Sequence, residues 1–210
     1  MGLARRARLA TVLAALLVAG LAGALAACSS GGGSAPTSTA SPTPVVYQIP
    51  ELPVTLTAPS TWTQSTQDGN FLLRGPRPAP DPASTATGAA SRFRPNVVIT
   101  TALADTATLA DEGARAQAQI AGLQNWTPDP QRQGMTHVGN AETYRIAGTY
   151  ALDGVHIRQV VSIIEVGAGA ERMFVAMTSS TQASDQVGAV AAQAIMDSLR
   201  VEPGGAATNP

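Results

Sequence analysis

The sequence predicts an α+β fold, an antiparallel sheet with helices packed against it. Three observations carry this. Short runs rich in β-branched residues recur along the chain, the clearest being Asn96 to Leu103. Two other stretches space their apolar residues at steps of three and four, the period of a helix face. An Asp153-Gly154 pair lies between two long stretches whose apolar residues fall in register across it, a strong two-residue hairpin signal.

The chain opens on a stretch that sets where the rest works. Arg5, Arg6 and Arg8 precede an almost wholly apolar run from Leu9 to Ala27, the layout of an export signal. The run ends in Leu25-Ala26-Ala27-Cys28, and Cys28 is the only cysteine. That tetrapeptide looks like a bacterial lipobox. The resemblance implies cleavage before Cys28, whose thiol receives a diacylglyceryl thioether carrying palmitate-type chains and which becomes the first residue of the mature chain. Each buried methylene contributes only about 0.8 kcal/mol, so lasting attachment needs the two or three chains that such a cysteine carries. A membrane-spanning reading is weakened by Gly20, Gly23 and the many alanines, and by the lack of a basic flank after Cys28. Residues 1–27 are therefore read as a signal peptide and the plasma membrane as the anchor's partner. The address is the extracytoplasmic face.

Residues 28–44 hold the lipidated cysteine and a tether. Ser29 to Pro44 has no apolar residue larger than alanine or proline and cannot bury enough surface to fold. As a random coil it would span roughly 22 Å. The folded domain is assigned to 45–202 and a frayed tail to 203–210. Composition narrows its partners. All 13 basic residues are arginine, and the formal net charge is −1, a balance that argues against nucleic acid. With one cysteine, and that one acylated, no disulfide forms and the core must hold the fold.

Val54-Thr55-Leu56-Thr57-Ala58 alternates as a half-buried strand does. Phe71-Leu72-Leu73 makes a second strand after the Asp68-Gly69-Asn70 turn signal. Gly75 to Ser91, with Pro76, Pro78, Pro80 and Pro82, reads as a long surface loop. Asn96–Leu103 is the best candidate for an interior strand. Thr108 is a good N-cap for a helix, with Asp111 three on, and Leu109, Gly113, Ala116, Ile120 and Leu123 form its apolar stripe. The Asp153-Gly154 turn pairs Tyr144 with Ile163, Ile146 with Val161, Tyr150 with Ile157 and Leu152 with Val155 on one face. Thr149 then faces Arg158 and Ala151 faces His156 on the other. A four-residue loop at Gly167–Ala170 leads into a strand from Arg172 to Met177, placing Glu165 opposite Arg172 and Ile163 opposite Phe174. A last helix runs from about Ser184 to Ser198, with Val187, Val190, Ala191, Ala194, Ile195 and Leu199 as its buried face. Leu199-Arg200-Val201 adds a short edge strand.

Little here carries catalysis. His137 and His156 have no second His or Cys at ligand spacing, so no metal site is expected. No Gly-x-Ser-x-Gly elbow occurs. Gly167-Ala168-Gly169 lacks the third glycine of a dinucleotide fingerprint and precedes a strand. No cofactor is expected. The candidate binding residues are Arg92, Phe93 and Arg94, a basic and aromatic cluster, with His156 and Arg158 as a second patch.

Tyr47-Gln48-Ile49-Pro50, Pro59-Ser60-Thr61-Trp62, Phe93-Arg94-Pro95-Asn96-Val97-Val98-Ile99 and the closing Ser198-Leu199-Arg200-Val201 together resemble the LpqN/LpqT-type lipoproteins of actinobacteria. The resemblance implies a PsbP-like fold, an antiparallel sheet sandwiched between helices, and a cell-envelope address. It implies no catalytic residues, and binding of envelope partners or lipid-like molecules. The function expected is a non-enzymatic, lipid-anchored binding or accessory module for an envelope protein. The alternative is a carrier or sensor of amphipathic envelope lipids. It needs an apolar pocket between the sheet and the first helix, lined by residues such as Ile99, Ile120 and Trp126.

Overall fold

The computed structural model describes residues 42–78, 93–123, 125–152 and 154–202. The signal run, Cys28, most of the tether, the 79–92 stretch with Arg92, and the tail at 203–210 lie outside them. The strands are β1 (Pro44–Gln48), β2 (Val54–Pro59), β3 (Thr63–Gln67), β4 (Asn70–Arg74), β5 (Asn96–Leu103), β6 (Thr127–Pro128), β7 (Gly134–Val138), β8 (Ala141–Leu152), β9 (Val155–Val166), β10 (Met173–Gln182) and β11 (Arg200–Val201). Helix α1 spans Leu109–Ala121 and α2 spans Gln186–Asp197. Eight strands form one antiparallel sheet in the order β3-β4-β5-β10-β9-β8-β6, with β7 also paired to β8. A second, three-stranded sheet runs β1-β2-β11.

The large sheet is covered on both faces. Strand residues alternate sides, so Ile146, Val161, Ile163, Phe174 and Ala176 meet Leu109, Ala116 and Ile120 of α1. Their neighbours Val160, Ile164, Val175, Met177 and Ile99 meet Ala192, Ile195 and Met196 of α2 and the small sheet. This is the α+β sandwich that the sequence patterning predicts.

The hairpin of β8 and β9 has the expected register throughout, from Leu152 opposite Val155 to Tyr144 opposite Ile163. Its turn uses Gly154 at φ 80°. β5 lies between β4 and β10, the interior place that its β-branched, mostly apolar sequence predicts. Thr108 caps α1: its hydroxyl accepts from the Asp111 N–H at 3.2 Å, and its own N–H donates to the Asp111 carboxylate at 3.1 Å. The hydroxyl also donates to that carboxylate at 2.7 Å, which holds the exposed Asp111 carboxyl below its usual pKa.

Three expectations need correction. The face of α2 is the first. Val187 and Val190 are 82% and 71% exposed, while Gly188, Ala192, Ile195, Met196 and the following Leu199 point inward. The helix is apolar almost all round, so spacing alone selects no face. The second is the register after β9. Glu165 faces Phe174 and Ile163 faces Ala176, a shift of two residues. Gly167 at φ 80° and a 3-10 turn at Gly169–Glu171 take up the extra residues. A two-residue shift leaves every side chain on its own face, so the packing is unaffected. Third, β1, β3, β6 and β7 were not anticipated. β3 reads TQSTQ and is exposed along most of its length, an edge strand with no apolar face to announce it.

The shifted loop still brings Arg172 onto Glu165, with Nε at 2.6 Å and Nη2 at 2.8 Å from the two carboxylate oxygens. Arg172 Nη2 also donates to the Ala107 carbonyl at 3.1 Å, tying the loop to the start of α1. The Arg172 hydrogen bond lowers the Glu165 pKa, outweighing the opposing effect of partial burial. A carboxylate whose folded pKa lies below its unfolded value stabilises the fold above the unfolded value, about 4.3 for Glu. That contribution disappears as pH falls through the lowered folded value. Urea midpoints measured from neutral pH downward should therefore fall less steeply below about pH 4.3 for Glu165→Gln than for the native chain. Parallel curves across that range would show that Glu165 is not coupled to folding.

Candidate functional site

A cleft of about 300 Å³ lies at the edge of the large sheet. Thr127, Pro128, Asp129, Pro130 and Arg132 line one side of it, and Ala147, Gly148, Thr149 and Arg158 the other. The sequence dictates the shape. Thr127 and Pro128 pair with Thr149 and Gly148 for two residues only. Proline has no N–H to continue the ladder. The Asp129 N–H donates to the Ala147 carbonyl at 2.8 Å. The chain then bulges through a 3-10 turn at Pro130–Arg132, which the Asp129 side chain caps by accepting from the Gln131 N–H at 3.2 Å. Gly148 permits the close approach: a Cβ there would overlap the Trp126 ring and the Thr127 carbonyl.

The bulge is braced from two directions. Arg132 Nη2 donates to Gln193 Oε1 of α2 at 2.6 Å. From the α1 side, the Tyr144 hydroxyl donates to Gln117 Oε1 at 2.7 Å, and Gln117 Nε2 donates to Gln133 Oε1 at 2.6 Å. Gln133 Nε2 reaches the Ala147 carbonyl at 3.4 Å. Arg158 is half-buried, opposite Thr149 on β8 and Thr181 on β10. Among the described residues it makes no ion pair or hydrogen bond. The cleft thus presents two guanidinium groups, one carboxylate and the Thr127 and Thr149 hydroxyls. It has no imidazole or thiol in its lining. Such a set can bind an anionic oxygen group by paired N–H donors.

Of the residues singled out from the sequence, Arg158 lies in this cleft. His156, two residues earlier on the same face of β9, is exposed opposite Ala151. Phe93 is elsewhere: its ring packs on Tyr150, Val155 and Ile157, and its carbonyl accepts from Gln182 Nε2 at 3.2 Å. Arg94 Nε donates to the Gly75 carbonyl at 2.7 Å, closing the base of the 75–95 excursion. Cys28 and Arg92 fall outside the described residues. Beside Phe93, burial pushes the Tyr150 hydroxyl pKa up to about 12, against a smaller opposing hydrogen bond with Ser180. Arg132 and Asp129 were missed. The Pro128-Asp129-Pro130 run marks a turn, but nothing local links that turn to Arg158 on a later strand.

The apolar pocket imagined for a lipid does not have its expected lining. Ile99 packs toward α2, whereas Ile120 packs on the opposite face of the sheet. The two cannot line one cavity. Among the described residues no group of three His, Cys, Asp or Glu side chains converges as metal ligands would. No helix among them is long and apolar enough to cross a membrane.

Fold and cleft together define an antiparallel-sheet α+β domain with a helix on each face and a polar cleft at one sheet edge. No protein-family model matches the chain, and no curated protein matches its sequence. Among solved structures, the crystal structure of LpqN, involved in cell envelope biogenesis of Mycobacterium tuberculosis, matches with a TM-score of 0.51. The identity is 12%, over 79% of this chain and 88% of that one. The solution structure of cyanobacterial PsbP from Synechocystis sp. PCC 6803 matches with a TM-score of 0.47 and 16% identity, over 81% of this chain and 98% of that one. The chain is therefore LpqN-like in fold, as its sequence resemblance implies.

Proposed function

We propose that the chain is a lipid-anchored, extracytoplasmic binding module that engages an envelope protein and performs no bond-making chemistry. The observation that carries the reading is the cleft, which gathers two guanidinium groups and two hydroxyls, a set suited to holding an anionic group of a partner. The fold shared with LpqN supports an envelope role. Cys28 acylation would place the cleft within a tether's length of the membrane surface, raising its effective concentration toward partners there.

The test is fractionation followed by surface crosslinking. The native chain should sediment with membranes and crosslink to a recurring envelope protein. Cys28→Ser should move most of the signal-cleaved protein to the soluble fraction and reduce that crosslink severalfold. A Cys28→Ser chain that stays membrane-bound after cleavage overturns the anchor. A native chain at the membrane that crosslinks to nothing overturns the binding role.

A further inference from the structure

We propose that the cleft between Arg132 and Arg158 is a subsite for a single carboxylate. This deepens the binding-module reading by naming the chemical group that the partner presents.

Charge selects the ligand class. Arg132 and Arg158 bring two positive charges into the cleft and Asp129 one negative. The surplus of one matches a carboxylate, whereas a phosphate dianion would meet the Asp129 carboxylate with a charge left over. Geometry points the same way. Arg132 is held by Gln193 and keeps further N–H donors, while Arg158 has none of its donors engaged by a described residue. A half-buried guanidinium carries a desolvation cost that a facing carboxylate would offset. Thr127 and Thr149 add hydroxyl donors beside it. Size sets the limit. A volume of about 300 Å³ is at the small end for ligand sites. It admits an acidic side chain or a chain end.

The carboxylate has two sources, an acidic residue of a protein or a free small acid, and the experiment separates them. The full chain, purified in detergent, is titrated calorimetrically with four probes. They are a blocked Glu-containing peptide, its Gln counterpart, propionate and inorganic phosphate. The Glu peptide should bind saturably and at least tenfold more tightly than the Gln peptide. Arg158→Ala should weaken it at least tenfold with the circular dichroism spectrum unchanged. Asp129→Asn should raise phosphate affinity severalfold. Tighter binding of the Glu peptide than of propionate assigns the subsite to a protein partner, and the reverse assigns it to a free acid.

Equal binding of Glu and Gln peptides, or of native and Arg158→Ala chains, would overturn the proposal. So would phosphate binding more tightly than either carboxylate. The binding-module reading fails separately. A chain that binds no carboxylate but still crosslinks to an envelope protein removes the subsite and leaves the module. A chain that binds the Glu peptide but crosslinks to nothing leaves the subsite and removes the envelope partner.

Discussion

Alanine at Gly113 is expected to destabilise the domain by about 2 kcal/mol, the range of overpacking in a tight core. Helix propensity alone gives the opposite sign, since alanine is favoured over glycine by up to about 1 kcal/mol within a helix. Packing decides the outcome. Gly113 lies in the buried stripe of α1, and a Cβ there would overlap the ring of Tyr144. The ring is not free to step aside. Its hydroxyl donates to Gln117 Oε1 at 2.7 Å, and its strand is fixed opposite Ile163. Moving it forfeits that hydrogen bond, about 1 kcal/mol, and separates α1 from the sheet. The disturbance also reaches the cleft, because Gln117 braces Gln133. Urea unfolding of the double-mutant cycle with Tyr144→Ala isolates the effect. In the Tyr144→Ala background the overlap is gone, and Gly113→Ala should become stabilising by up to about 1 kcal/mol. A stabilising Gly113→Ala in the native background would show that the helix does not lie against the ring.

The same pair shows what a sequence reveals. Gly113 sits at its proper step in an apolar stripe, so its inward orientation was legible. The identity of the ring above it was not, because Tyr144 belongs to a distant strand. Legible elements were those whose local signals agree. Asp153-Gly154 and the flanking alternation specify one register, and the β8–β9 hairpin adopts it residue by residue. Thr108 and Asp111 mark the start of α1, where the helix begins. Illegible elements were those whose signals are weak or degenerate. In α2, Val187 and Val190 are as apolar as Ile195 and Met196, and only the sheet beneath decides which pair is buried. Edge strand β3 is polar on both sides. The cleft is illegible for a different reason. Arg158 stands out as the single arginine of β9, but Arg132 and Asp129 join it only because a two-residue pairing folds their turn over the β8 edge.

The larger loss is expected at Gly139, where alanine should cost about 3 kcal/mol, a substantial share of the roughly 5–15 kcal/mol that keeps a domain folded. Two effects add there. Gly139 turns β7 into β8 at φ +58°, a left-handed conformation that costs an L-residue about 1–2 kcal/mol. A Cβ would also overlap the Leu199 carbonyl oxygen. That carbonyl belongs to backbone held on both sides. The Leu199 side chain is buried in the core beneath α2. Two residues on, Asn140 clamps β11, donating from Nδ2 to the Val201 carbonyl at 2.9 Å and accepting the Val201 N–H at 3.0 Å. Relief of the overlap therefore lifts the C-terminal strand from β2 and withdraws part of Leu199, whose full burial is worth about 1.5–3 kcal/mol. Gly69→Ala is the control. Gly69 has φ +79°, but a Cβ there meets nothing within 4 Å, so it carries the conformational cost alone. The difference between the two variants measures the steric part. Faster hydrogen exchange at the Val201 amide in Gly139→Ala, with Gly69→Ala unchanged there, would locate the damage at β11. Equal destabilisation by both would mean that the turn does not press on the C-terminal strand.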